Sequence, residues 1–150
     1  MKNNTFILLI ASIFMLCCTK KTSKREHNNA IETSKMLDQP SFQNEIDDLK
    51  DSMIAYKNLA QPQYSKLDIE NCVKILENYI SEIESTQSRD EAMKIVESTV
   101  LKLNELNIKA GSDLISTGER EKIATIIISA THKKGYNSMD EDITYEWRDW

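Results

Sequence analysis

The stretch from Ser116 to Gly135, STGEREKIATIIISATHKKG, most constrains how this chain can fold. Ser116 or Thr117 can cap a helix, and Glu119 falls in the first turn, where free N–H groups favour negative charge. Ser116 and Glu119 also have capping-box spacing, and Gly135 is a natural C-terminal stop. Because isoleucine and alanine cover most of the circumference between these signals, we predict a central helix wrapped by others. A buried strand is the alternative, since the ATIII segment is rich in β-branched residues.

Three earlier segments carry apolar residues at helical spacing. The first runs from Ser41 to Pro62, the second opens at Ser65, and the third opens at Ser88 and stops at Gly111. The chain has only three glycines and two prolines, whereas all-β folds need many such residues for turns. The sequence therefore predicts an all-α fold, an antiparallel bundle of about four helices with a short C-terminal aromatic segment.

The start of the chain has the pattern of a secretory signal peptide. Lys2 precedes an apolar run of about eleven residues, too short for a membrane span of about 20, and the run ends at Cys17 and Cys18. A hydrophobic leader that runs into cysteine resembles the lipobox of bacterial lipoproteins, in which cleavage frees a cysteine that carries lipid. We predict that residues 1–17 are the signal peptide and that Cys18 is lipidated, because a small residue precedes it. Cys17 is the alternative, and an uncleaved anchor or secretion with free thiols stays open.

Residues 18–40 have little hydrophobic periodicity and are predicted to be a flexible tether between the lipid and the domain. Four cations near the anchor, at positions 20, 21, 24 and 25, can instead meet anionic head groups. Residues 41–150 are then one helical domain, which holds 21 acidic and 13 basic residues and has a net charge of −8. Nucleic acid binding depends on cationic patches, so we do not expect a nucleic acid partner.

The C-terminal segment, YNSMDEDITYEWRDW, has both tryptophans of the chain in its last four positions. Asp142 or Thr144 can cap a short helix on which Trp147 and Trp150 share one face. Arg120 and Arg148 can each pair with a carboxylate of the other segment and lock the tail onto the bundle. The alternative is an exposed arginine and aromatic patch, a composition typical of binding hot spots. The residues predicted for tail locking or partner contact are Glu119, Arg120, Asp142, Glu146, Trp147, Arg148 and Trp150.

Three motifs, EREKI at 119–123, the glycine at 135 and DITYEWRDW at 142–150, resemble a family of small bacterial proteins. That family is described only as a domain of unknown function, and its members end in D-I-T-x-E-W-R-x-W. The resemblance is specific over residues 115–150 and looser over the earlier helices. It implies a helical fold with the C-terminal part as a unit, and it implies no activity.

No catalytic, metal-binding or cofactor-binding residue is predicted. Three glycines form no phosphate loop, and the domain's single histidine, His132, is too few for a zinc site. We expect a lipoprotein of the bacterial envelope, facing the periplasm or the exterior, whose acidic domain binds a protein or an envelope component. One version is an immunity-type protein that neutralises a basic toxin. The alternatives are a structural lipoprotein and a hydrolase-type enzyme that uses Glu119, Arg120, Glu121, Asp142 and Glu146.

Overall fold

Four α-helices make up the regular structure of residues 41–150, the part of the chain that the computed structural model describes. Helix α1 spans Phe42–Ala60, α2 spans Lys66–Ser85, α3 spans Arg89–Lys109 and α4 spans Thr117–Lys133. No strand occurs in these residues, so the predicted all-α bundle is confirmed and the strand alternative for 116–135 is wrong. The predicted signal peptide, Cys18 and the tether lie outside the described residues.

Serine side chains cap three of the four helices. They are Ser41, Ser65 and Ser88. The hydroxyl of each accepts a hydrogen bond from the backbone N–H of the residue three positions later in the chain. At the start of α2 the box is complete, because the Asp68 carboxylate accepts the Ser65 N–H at 2.7 Å. Ser116 precedes α4 but caps no N–H, and its hydroxyl donates to the Glu119 carboxylate instead. The capping box predicted there is therefore incomplete.

Glycine ends α3 and α4 through the same backbone motif. Gly135 has a φ of +78°, and its N–H donates to the His132 carbonyl at 2.7 Å while the Tyr136 N–H donates to the Thr131 carbonyl at 3.3 Å. Gly111, with a φ of +82°, stands at the same place after α3. This pair of bonds is a Schellman motif, in which a left-handed residue lets the last carbonyls of a helix find donors. Gly111 and Gly135 therefore end helices, as the sequence predicts.

Helix α2 is the centre of the bundle, because it packs against α1, α3 and α4. Helix α4 packs mainly against α1 and α2, so the prediction that α4 is the wrapped central helix is wrong. Its apolar surface is one-sided. Ile123, Ile126 and Ile127 are buried, while Ala124 and Ile128 are only half-buried. None of the described helices is long and apolar enough to cross a bilayer.

A buried hydrogen bond joins α2 to α4. Tyr79 is 1% exposed, and its hydroxyl donates to the Ile127 carbonyl at 2.8 Å and contacts the Thr131 hydroxyl. Burial raises the pKa of this phenol, which therefore stays protonated. Cys72, on the same helix, is buried as its place in the apolar stripe predicts. Burial raises the pKa of the Cys72 thiol to about 12, which leaves it unreactive near neutral pH.

The alternating helix directions give the bundle two distinct ends. The distal end holds the α1–α2 and α3–α4 loops, which meet where a Cβ on Gly111 would lie 3.0 Å from Gln63 Oε1. The basal end holds Ser41, the α2–α3 loop and the end of α4. There the Lys134 ammonium donates to the Glu84 carbonyl at 2.9 Å.

Candidate functional site

The C-terminal tail, residues 136–150, lies beside α3 and runs from the basal end to the distal end. At the base, Arg89 donates to the Tyr136 carbonyl at 2.9 Å and pairs with Glu141 at 2.7 Å. Near the distal end, Asn104 Nδ2 donates to the Trp147 carbonyl at 2.7 Å. Since Arg89 and Asn104 are fifteen positions apart on one helix, the tail is held at points about 22 Å apart.

The tail also contacts α4 and contributes to the core. Asn137 donates to the Ile128 carbonyl at 3.3 Å, and its own carbonyl lies 2.7 Å from His132 Nδ1. Ile143 and Trp150 are buried at 7% exposure, while Trp147 is half-buried. The aromatic end of the chain is therefore mostly packed rather than presented as an exposed patch.

Residues 143–147 form a hydrogen-bonded turn, so the short helix predicted here is wrong. Asp142 caps this turn, because its Oδ1 accepts the Thr144 N–H at 3.1 Å and the Thr144 hydroxyl at 2.7 Å. The Thr144 carbonyl then accepts the N–H groups of Trp147 and Arg148, each at 3.2 Å. Asp142 therefore caps a turn, as its type predicts, but the residues after it do not continue into a helix.

Arg148 makes its charged contacts inside the tail. Its Nη1 lies 2.8 Å from Asp142 Oδ2 and donates to the Thr144 hydroxyl at 3.1 Å. Its guanidinium carbon is 5.8 Å from the ring centroid of Tyr145 and 5.9 Å from that of Trp150. The prediction that Arg148 pairs with a carboxylate of the α4 segment is wrong, because the turn brings the nearer Asp142 back to it.

The Asp142 carboxylate is stabilised in its charged form. Burial alone raises the pKa of this carboxyl, but the hydrogen bonds from Thr144 and the Arg148 guanidinium outweigh it. The pKa of Asp142 therefore lies below its usual value.

Arg120 makes no ion pair with any described residue, so its predicted pairing with a tail carboxylate is also wrong. Its Nε is buried and has no hydrogen-bond partner among these residues. Together with Asp149 and Trp150 it lines a cavity of about 240 Å³ where α3, the α3–α4 loop and the end of the tail meet. The indole Nε1 of Trp150 is likewise buried and unpartnered within the described residues. We call this space the tail cavity.

The other residues proposed for an enzyme do not share the tail cavity. The Glu119 carboxylate accepts the Ser116 hydroxyl, and Glu146 is exposed. Glu121 lines a separate groove of about 270 Å³ between α1 and α4, beside Glu45 and Asp48. Asp142 is held by Arg148, as described above. No group of three or more His, Cys, Asp or Glu in residues 41–150 is placed to hold a metal ion.

Asn104 and Asn107 are site residues that the sequence reasoning missed. Both lie on the buried face of α3 at 5% and 7% exposure, and both line the tail cavity. Asn107 Oδ1 accepts the Ile115 N–H at 3.0 Å and so fixes the loop that leads into α4. The available signal was an amide within an otherwise apolar stripe, since buried polar side chains need partners.

Comparisons of the chain with protein-family models, with curated proteins and with solved structures found no match. The resemblance of residues 115–150 to a family of unknown function therefore stays a prediction.

Proposed function

We propose that this chain is a lipoprotein of the bacterial envelope whose acidic helical domain binds a protein partner through its distal end. The leader, the cysteine pair at 17 and 18 and the polar residues that follow support the anchor. The exposed apolar side chains of the bundle support the binding role.

Three aliphatic side chains at the distal end stand in solvent, and this observation carries the proposal. Leu59 is 87% exposed, Leu67 67% and Ile108 65%. They come from the last turn of α1, the first turn of α2 and the last turn of α3, so that they belong to one end of the bundle. Single exposed leucines are ordinary, but three exposed aliphatic residues at one end of a bundle favour a protein interaction site at that end.

The position of Ser41 suits this role. A tether enters the domain at Ser41, at the basal end, and α1 then rises through nineteen residues to the distal end. At 1.5 Å per residue this is about 28 Å. The three aliphatic residues thus lie at the end of the domain opposite to Ser41, the residue at which the predicted tether would join it.

The charge of the domain indicates the kind of partner. Residues 41–150 have a net charge of −8. At the distal end the pKa of Tyr64 is raised to about 12, mainly by burial and further by the nearby carboxylates of Glu119 and Asp113. A partner with an apolar centre and a basic rim would complement this surface, because opposite charges steer association and exclude wrong partners. An immunity-type protein that neutralises a basic toxin is one version of this function.

The binding role is tested by affinity purification of the full chain from host membranes. The triple variant Leu59→Ser, Leu67→Ser, Ile108→Ser removes the apolar centre, and Met139→Ser is the control, since Met139 is 49% exposed in the tail. We expect one basic partner with the wild type and the control and its loss from the triple variant, with unchanged helical circular dichroism. Retention of the same partner by the triple variant would refute a distal binding surface.

The anchor is tested by metabolic labelling with palmitate. We expect label in the wild type and in Cys17→Ser, and none in Cys18→Ser. Label that persists in Cys18→Ser would show that the lipid is carried elsewhere.

A further inference from the structure

We propose that the tail cavity binds a free α-amino acid, with Arg120 holding the carboxylate and Asp149 holding the ammonium group. This inference does not rest on the proposed partner or on the lipid anchor, since every residue that carries it lies in the domain.

Two buried donors without partners define the site. The Nε of Arg120 and the Nε1 of Trp150 have no acceptor among the described residues, and both side chains line the same cavity. Trp150 is only 7% exposed, so its indole N–H is shielded from bulk water. A buried donor left unpaired is costly, and native proteins hold few of them. Two in one cavity, from segments thirty positions apart, indicate a ligand that brings acceptor oxygens.

A carboxylate is the acceptor that fits these donors. A guanidinium presents its N–H groups as a planar fork, which matches the two oxygens of a carboxylate. Arg120 forms no ion pair with a carboxylate of the described residues, so its guanidinium is available to a ligand. The indole N–H of Trp150 adds a single donor and no charge.

Asp149 sets the second half of the ligand. Asp149 lines the same cavity, and within residues 41–150 its carboxylate accepts one hydrogen bond, from Asn104 Nδ2, which is long at 3.4 Å. A simple anion would be repelled by this group, whereas an ammonium beside the carboxylate would be attracted to it. One cation and one anion across a small cavity therefore match a zwitterion. The α-amino acids carry both charges on neighbouring atoms.

The size and the walls of the cavity limit the side chain. Its volume of about 240 Å³ lies below the 300–1,000 Å³ range of sites for drug-sized ligands. Ile108 and Ile115 supply apolar surface. An aliphatic amino acid such as leucine suits these dimensions better than a charged or peptide-sized one.

The test is calorimetric titration of the full chain with leucine and with two analogues that each lack one charge. Isocaproate lacks the ammonium group, and isoamylamine lacks the carboxylate. We expect saturable binding of leucine with a change in tryptophan fluorescence, and about 10- to 100-fold weaker binding of each analogue, as for the loss of one charge-assisted interaction. Inorganic phosphate is the probe for a plain anion site, and we expect it to bind more weakly than leucine.

Variants assign the two ends of the ligand. Arg120→Met should weaken leucine binding about 10- to 100-fold. Asp149→Asn should remove the preference for leucine over isocaproate, while Lys122→Met, an exposed change two positions along α4, should leave leucine binding intact. Asp149 is exposed, so Asp149→Asn keeps the test open if Arg120→Met does not fold.

Four results would overturn the proposal. They are the absence of saturable binding by any aliphatic amino acid, wild-type affinity in Arg120→Met, isocaproate binding to the wild type as tightly as leucine, and phosphate binding more tightly than leucine.

Discussion

Asn104 donates through Nδ2 to the backbone carbonyl of Trp147 at 2.7 Å, across 43 positions of sequence. The same amide accepts the Asp149 N–H at 3.2 Å through Oδ1. One side chain of α3 thus satisfies backbone groups on both sides of Arg148, in a segment with no strand or helix to do so. The distal half of the tail is therefore held by a buried amide and not by the arginine pairs that the sequence suggested.

Replacement of Asn104 by alanine should release this half of the tail. The variant leaves a backbone donor and acceptor of the tail without partners, so we expect a loss of about 1–3 kcal/mol in the free energy of unfolding. Urea titration followed by tryptophan fluorescence measures this loss. Asn58→Ala, at an exposed position of α1, is the control and should lie within about 0.5 kcal/mol of the wild type. Equal unfolding free energies for the two variants would contradict this role of Asn104.

The ion pair between Asp142 and Arg148 should make the stability of the domain depend on pH in the acidic range. The folded pKa of Asp142 lies below its usual value, so the unfolded chain takes up the proton first as pH falls. The contribution is therefore present above the unfolded pKa of about 3.9 and is lost as pH falls through the folded pKa.

Asp142→Asn isolates this charge effect, because an amide oxygen can still accept the Thr144 N–H. We expect the variant to be less stable than the wild type at neutral pH, with a difference that shrinks below about pH 4. Urea unfolding across this range measures the difference, and Asp140→Asn, an exposed neighbour, is the control. A difference that is independent of pH would rule out the pair as its source.

The helices were predictable because each of their signals is local. Serine at the start, an apolar stripe and glycine at the end lie within about twenty residues. Helix α3 uses all three, whereas α4 uses the stripe and the glycine but has no side-chain cap from Ser116. Which helix lies at the centre of the bundle was not predictable in this way. Helix α4 has the most apolar run, yet α2 is central, since centrality depends on which helices surround it.

The contacts of the tail depend on long-range packing, which composition does not record. Arg148 and Arg120 were recognised as cations of the region, but the partner of Arg148 depends on the turn at Thr144. Arg120 pairs with no carboxylate of the described residues, which depends on the path of the tail along α3. Asn104 was missed because one amide within a helix gives no local sign of the backbone it will meet.

Tyr79→Phe should weaken the contact between α2 and α4 while keeping the packing of the aromatic ring. The change removes the hydroxyl that donates to the Ile127 carbonyl, but the Thr131 hydroxyl still donates to that carbonyl at 2.9 Å. We therefore expect a modest loss of about 0.5–1.5 kcal/mol in the free energy of unfolding. Tyr145→Phe is the matched control, since Tyr145 is 75% exposed and should lose little. A larger loss for Tyr145→Phe than for Tyr79→Phe would contradict the buried bond.

Replacing Gly118 and Gly135 by alanine should change the free energy of unfolding in opposite directions. A Cβ at either position meets no atom within 4 Å, so steric contact does not decide the outcome. Gly135 has a φ of +78°, where a Cβ costs about 1–2 kcal/mol, and Gly135→Ala should destabilise the domain by that amount. Gly118 lies in the first turn of α4 without a positive φ, so Gly118→Ala should stabilise it by about 0.4–1 kcal/mol through the unfolded chain. Thermal and urea unfolding of both variants measure the signs, and a stabilising Gly135→Ala would mean that α4 does not end in the Schellman motif.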